Sequence, residues 1–341
     1  MKKIYVLSGG LIPENWESTL KEIYDVDPDE IFLLSNTEVN LIGNWNDLLD
    51  PLQSWLEINN KFATLVTPQY DGMMIRPNIK TEQSYAMLES VYKLFVSAPA
   101  LEFNFDKHYC SYMYRSDEAR GRLLDTLISK NLLDSGYVTY HQPAIKTHES
   151  FGYHDKHPLK YEEENYSKDS NFHFVKPIFY EKSFVDIVSE TSFSFGNFFI
   201  TEKTLRPIFH KKPFLTLGPL NFYKDYFIKL FGLDLYDEIF DYSFDQESDL
   251  QDRIDGLLIN VEKIKSMSFD DLNKLYLKVK PKLDHNRQVL EDIYNDIYKI
   301  VPRCMHKLLD ETYQYKLYGL HQVSMMDLIK NYNNGKFPYK R

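Results

Sequence analysis

Glycine is scarce in this chain, with 13 among 341 residues, about half the usual share. A glycine-rich phosphate loop is therefore not its organising device. Cysteine is scarcer still: Cys110 and Cys304 are the two. They imply no disulfide framework, and a reducing, cytoplasmic setting is the simpler reading (host cytoplasm if the chain is viral). Cys110 falls inside an apolar run and reads as a small buried hydrophobe. No uninterrupted apolar run approaches the roughly 18 residues of a membrane span. The N-terminus MKKIYVLSGG carries two lysines, but its apolar run at residues 4–7 is too short for a signal core and reads as a first strand. Basic residues are in the minority, 40 against 50 acidic, for a net charge of −10. That disfavours non-specific binding to DNA or anionic membrane, although a local basic groove can coexist with an acidic whole.

Aromatic residues are abundant: 26 Tyr and 23 Phe contribute to an aromatic share of 15%. The length suggests two domains. Apolar runs at residues 3–7, 31–34, 62–66 and 94–96 alternate with helical spacing at residues 15–24 and 45–58, and Thr81 reads as the N-cap of a further helix. Strands alternating with helices predict a parallel sheet. A break around Pro99 separates a second unit, in which residues 109–114 and 137–140 read as strands flanking a helix over 117–130. Residues 141–172 form a long polar excursion. Residues 221–230 read as a helix and 236–240 as a last strand. From Ser248 the pattern is helical almost to the end. The predicted organisation is an α/β fold with two Rossmann-like domains, residues 1–103 and 104–300, and a helical C-terminal extension, residues 301–341.

The most informative stretch is residues 184–218, FVDIVSETSFSFGNFFITEKTLRPIFHKKPFLTLG. Apolar runs at 184–188 and 213–217 predict two strands, with a helix opening near Thr201 between them. The first strand ends on Ser189-Glu190-Thr191, and the helix opens with Thr201-Glu202-Lys203-Thr204. In open α/β sheets, ligands sit outside the carboxyl ends of the strands. An acid followed by a lysine at a helix start can hold a ribose hydroxyl and a phosphate together. The same residues also suit an ordinary helix N-terminus, where a first-turn glutamate favours the macrodipole without any ligand.

This stretch resembles the donor-binding motif of the α-1,3-fucosyltransferase family and its exostosin-like and phage relatives. In that family a strand with a Glu-containing turn is followed by Tyr-Val-Thr-Glu-Lys, a helix, then Val-Pro-Val-Val and Gly. Here Phe199-Ile200-Thr201-Glu202-Lys203 and Lys212-Pro213-Phe214-Leu215 hold those places. Upstream, Ala119-Arg120-Gly121-Arg122 and Asp134-Ser135-Gly136-Tyr137-Val138 are similar to the family's Ala-Arg-x-Arg and Val-Asp-x-x-Gly, in the family's order. The two matches cover about the middle third of the chain.

The resemblance implies a GT-B-like glycosyltransferase with its donor nucleotide on the second domain and a GDP- or UDP-sugar as co-substrate. Glu202 would accept from ribose hydroxyls, and Lys203 would neutralise the departing diphosphate. Arg122, Arg120 or Arg115 would clamp phosphates, with Arg122 favoured; the alternative for each is a solvated helix charge. Glu190, Thr191 and Thr201, at the strand end and helix start, would also line the donor site; the alternative for Glu190 and Thr191 is a plain strand-end turn. Ser8, Gly9 and Gly10 either turn backbone N–H groups toward the donor or form a plain βα turn. A catalytic base, required only for inversion, falls by position on Asp71 or Glu14.

No metal is expected. Asp25-Val26-Asp27 precedes a strand and Pro28, so it reads as a loop, and His148 with His154-Asp155-Lys156-His157 reads as a solvated polar run. The favoured acceptor is a glycan hydroxyl. A hydroxymethylated base in phage DNA is the alternative, suggested by the Tyr-, Lys- and Asn-rich, phage-like composition; a non-catalytic nucleotide- or carbohydrate-binding protein of the same fold is a third reading. The sequence does not indicate an oligomeric state.

Overall fold

The computed structural model describes residues 1–9, 16–35, 45–67, 76–83, 101–113, 117–140, 180–190, 201–310, 312–318 and 324–336. The elements run β1 (Lys2–Gly9), α1 (Trp16–Val26), β2 (Glu30–Ser35), α2 (Trp45–Ile58), β3 (Ala63–Thr67), β4 (Ile79–Gln83), β5 (Lys107–Met113), α3 (Glu118–Ser129), β6 (Gly136–Tyr140), β7 (Ser183–Ser189) and α4 (Glu202–Phe209). They continue with β8 (Phe214–Leu217), α5 (Leu250–Lys265), α6 (Phe269–Tyr294), α7 (Ile297–Ile300), β9 (Tyr315–Tyr318) and α8 (Ser324–Asn333). Two compact units result. One comprises Met1–Ser90, Gly196–Phe199 and Asp292–Arg341, the other Val91–Phe195 and Ile200–Glu291. Among the described residues each carries one sheet, and every pairing between the strands named above is parallel. Among the described residues, no helix is long and apolar enough to cross a membrane.

In the first unit the strand order is β4-β3-β2-β1-β9. Parallel strands covered on both faces read as continuous apolar runs, which is why β1, β2 and β3 stand out in the sequence. Tyr5, Leu7, Leu33 and Leu65 from the strands pack with Leu48, Leu49 and Leu52 of α2 in one buried cluster. In the second unit the order is β6-β5-β7-β8. The chain steps from β5 through α3 to β6 in one direction and from β7 through α4 to β8 in the other. Right-handed crossovers then place α3 and α4 on opposite faces, and α5 packs on α3 and on strands β5 and β8.

Four sequence expectations change. Thr81 lies inside β4 and is not a helix cap; the expected fourth strand at 94–96, like the polar excursion 141–172, lies outside the described residues. The C-terminal extension is not purely helical, because Tyr315–Tyr318 pairs in parallel with β1. Residues 236–240 form turns and not a strand: the Tyr236 hydroxyl accepts from Asn286 Nδ2 at 3.0 Å, and Phe240 N–H donates back to the Tyr236 carbonyl at 2.9 Å. Over 221–230 the helix is a π-helical segment, Phe222–Ile228. The Asp245 carboxylate accepts the amides of Phe222 and Tyr223, both at 2.9 Å, satisfying first-turn donors that would otherwise be orphaned.

Gly136 begins β6 beneath the ring of Tyr109. A Cβ built there would lie 2.3 Å from the nearest ring atom. Tyr109 is fully buried and donates its hydroxyl to the Leu132 carbonyl at 3.0 Å, so the ring has nowhere to go. Gly136→Ala is expected to destabilise the fold by about 1–3 kcal/mol, the usual cost of overpacking; an unchanged denaturation midpoint would refute this.

Behind β7 lies a buried polar layer. Arg206 of α4 pairs with Asp186 at 2.8 Å, and Asp186 also accepts the Tyr180 hydroxyl at 2.9 Å. Lys212 is completely buried. Its ammonium donates to the carbonyls of Tyr180 and Ser183 and stands 4.7 Å from the Tyr180 ring centre. Burial pulls its pKa from 10.5 down to about 8. A cation with a depressed folded pKa costs stability while charged; above about pH 8 only the unfolded chain still holds the proton, so stability rises with pH up to about 10.5. Urea melts of wild type and Lys212→Met should show the wild type gaining on the variant by about 2 kcal/mol between pH 7 and 9.5. A pH-independent difference would contradict the depressed pKa.

Candidate functional site

Strand order reverses between β5 and β7, and at such a switch point an α/β sheet opens a crevice at its carboxyl edge. Two helices begin there. α3 starts at the N-cap Asp117, whose carboxylate accepts the Arg120 amide at 2.9 Å. α4 starts at the N-cap Thr201, whose hydroxyl accepts the Lys203 amide at 3.2 Å.

Arg120 is buried, 4% exposed, and ties α3 to the end of β7. Its Nη1 donates to the Asp117 carboxylate, and its Nη2 donates to the carbonyls of Ser189 and Glu190, both at 3.2 Å. Arg122 instead pairs with Glu118 one turn back on its own helix and is half-buried. The two arginines of the Ala-Arg-x-Arg pattern thus serve different places.

Glu190 follows the last residue of β7 and has no solvent exposure. Its carboxylate accepts the Thr201 amide at 3.2 Å, the Thr201 hydroxyl at 2.7 Å and the Thr204 hydroxyl at 2.5 Å. Lys203 extends the chain of contacts: its Nζ donates to Thr201 Oγ1 at 3.2 Å and pairs with Glu202 at 3.3 Å. The Glu202 and Lys203 side chains are 17% and 18% exposed, so this pair reaches solvent while Glu190 does not. Beside Glu190, the buried Ser189 hydroxyl has no hydrogen-bond partner among the described residues.

The structure therefore brings together Arg120, Glu190, Thr201, Glu202 and Lys203 at one edge of the second sheet. Ser8 and Gly9 end β1 in register with Leu34 and Ser35 of β2, in the first unit. Gly10, Glu14, Asp71, Arg115 and Thr191 lie outside the described residues, as do His148 and the run 154–157. Asp25 and Asp27 pair with Lys21 and Lys61. Among the described residues, no three His, Cys, Asp or Glu side chains are grouped as a metal site would need.

Sequence reasoning missed Thr204 and Asp117 as site-building residues, and the buried pair Asp186–Arg206 altogether. A usable signal was present for that pair. Asp186 interrupts the apolar run Phe184-Val185-Asp186-Ile187, and Arg206 sits between Leu205 and Pro207-Ile208 on a helix that is otherwise almost wholly buried. Opposite charges at two core positions find each other, because a lone buried charge is too costly to keep. For Thr204 and Asp117 no comparable signal existed, since both also read as exposed first-turn or capping residues.

No protein-family model and no curated protein matches the chain. Among solved structures it is similar to a crystal structure of an alpha1,3-fucosyltransferase, at 12% sequence identity and a TM-score of 0.34, over 82% of this chain and 80% of that one.

Proposed function

We propose that the chain is a glycosyltransferase of GT-B type that moves a sugar from a GDP- or UDP-sugar to a hydroxyl of a glycan. The observation that carries the reading is the placement of Glu202 and Lys203: both open α4 at the carboxyl edge of the sheet, beside the β5/β7 switch point, on a helix start fixed by buried contacts. Helix N-termini favour phosphate through free N–H groups and the macrodipole. Lys203 adds a cation that the leaving diphosphate needs most in the transition state, and Glu202 offers acceptors for ribose hydroxyls. The Glu202 and Lys203 side chains are the part of this helix start that reaches solvent, at 17% and 18% exposure. The proton acceptor of the attacking hydroxyl is proposed to be Asp71 or Glu14, which follow β3 and β1 in the chain.

Lys203→Ala should weaken binding of the nucleotide sugar by about 1.5–3 kcal/mol, the range for a charge-assisted hydrogen bond. The fold should survive, because the contacts that tie α4 to β7 run through Glu190, Thr201, Thr204 and Arg206. A thermal-shift screen reads both quantities, since a bound donor raises the melting temperature by mass action. Equal stabilisation of wild type and Lys203→Ala by GDP- and UDP-sugars would place the donor elsewhere.

Transfer is also proposed to proceed without a divalent metal, because Asp25-Val26-Asp27 closes α1 ahead of Pro28 and β2 and reads as a chain turn. The net charge of −10 favours a glycan over a DNA acceptor. Labelled-sugar transfer to oligosaccharides should persist in excess chelator and change little between about 50 and 200 mM salt. Transfer only to hydroxymethylcytosine DNA, with affinity collapsing roughly 10³-fold over that salt range, would replace the glycan reading by the DNA one. Loss of transfer on chelation, restored by manganese, would end the metal-independent reading.

A further inference from the structure

We propose that Glu190 is a positioning residue that does not touch the donor: with Thr204 and Arg120 it sets where α4 begins, and so where Lys203 stands. The inference rests on the donor-binding reading of Lys203 and assigns Glu190 a different task from the ligand contact its strand-end position suggests. Glu190 is fully buried, and its two carboxylate oxygens already accept three donors from its own chain. Its backbone carbonyl is held as well, by Arg120 Nη2. The residue is thus fixed at both ends, and no face of it is open to a ligand.

α4 needs such an anchor. It is eight residues long with Pro207 inside it, and helices this short do not sustain themselves. Pro207 has no N–H to donate to the Lys203 carbonyl one turn earlier, so the first turn lacks one of its own bonds at the residue whose side chain matters most. The contacts of Thr201 and Thr204 with Glu190 stand in for it. Thr201 Oγ1 is the hinge of the arrangement: it donates to Glu190 and accepts both the amide and the Nζ of Lys203. A shift of Thr201 therefore becomes a shift of the Lys203 ammonium.

Thr204 provides the clean test, because it is fully buried and cannot reach a ligand. Wild type, Thr204→Val, Thr204→Ser, Lys203→Ala and the Thr204→Val/Lys203→Ala double variant would be titrated calorimetrically with GDP and with UDP. Amide hydrogen exchange would be followed over residues 201–205. Thr204→Val should weaken the nucleotide that binds by about tenfold, the value of one hydrogen bond to a charged group, and should speed exchange at 201–205 without touching β5–β8. Thr204→Ser should restore both. In the Lys203→Ala background, Thr204→Val should change affinity by less than about twofold, because the two act through one cation. Unchanged affinity in Thr204→Val, or a loss that adds in full to that of Lys203→Ala, would overturn the proposal. So would a Glu190→Gln loss that disappears with 2′,3′-dideoxy nucleotides, the signature of a direct ribose contact. Failure of wild type to bind either nucleotide would instead remove the donor reading itself, and the exchange rates at 201–205 would still show whether Thr204 and Glu190 fix the helix start.

Discussion

Three hydrogen bonds to one buried carboxylate decide where α4 begins. The Thr201 amide, the Thr201 hydroxyl and the Thr204 hydroxyl all end on Glu190. A carboxylate buried without donors would be prohibitively costly; with these three it becomes a rigid joint. Arg120 extends the joint across the switch point by holding the carbonyls of Ser189 and Glu190 while it pairs with Asp117 at the start of α3. Two helices on opposite faces of the sheet are thereby tied at their N-termini to the end of one strand.

The rest of α4 is secured by a second layer of the same kind. Asp186 and Arg206 join the middle of the helix to β7, and Lys212, just past its C-terminus, bonds to backbone carbonyls before and at the start of that strand. Buried ion pairs are weak evidence for net stability, but removing one partner leaves an uncompensated charge. Their effect here is geometric. A short helix with a proline in it is held at its start, its middle and its end by groups that tolerate little displacement, which a merely greasy contact would not ensure.

How much of this was legible follows from burial and spacing. Strands β1, β2, β3, β5, β6, β7 and β8 were legible because parallel strands buried on both faces announce themselves as apolar runs. Strand β4, Ile-Lys-Thr-Glu-Gln, was not: it lies at an edge of the sheet and four of its five residues are polar. Strand β9 was lost because Tyr-Lys-Leu-Tyr is four residues long and surrounded by helical pattern. At the site, Thr201, Glu202 and Lys203 could be read from local capping chemistry. The partners of Glu190 could not, because they stand 11 and 14 residues away, and no periodicity encodes a contact that the fold makes only after β7 and α4 have packed.

The division between buried and exposed charge gives the site its logic. Asp117 pairs with Arg120 and Asp186 with Arg206, Glu190 is satisfied by the Thr201 and Thr204 donors, and all of these but Asp117 are almost fully withdrawn from solvent. Glu202 and Lys203 are paired too, but at 3.3 Å and with both side chains partly exposed. Disrupting the first set would leave desolvated charges without partners, whereas the second is the pair at this helix start that reaches solvent. Under the proposed donor-binding reading, a rigid frame that presents a partly exposed lysine at a helix N-terminus suits the capture of a diphosphate. The frame bears the cost of order beforehand, and the cation responds only when charge arrives.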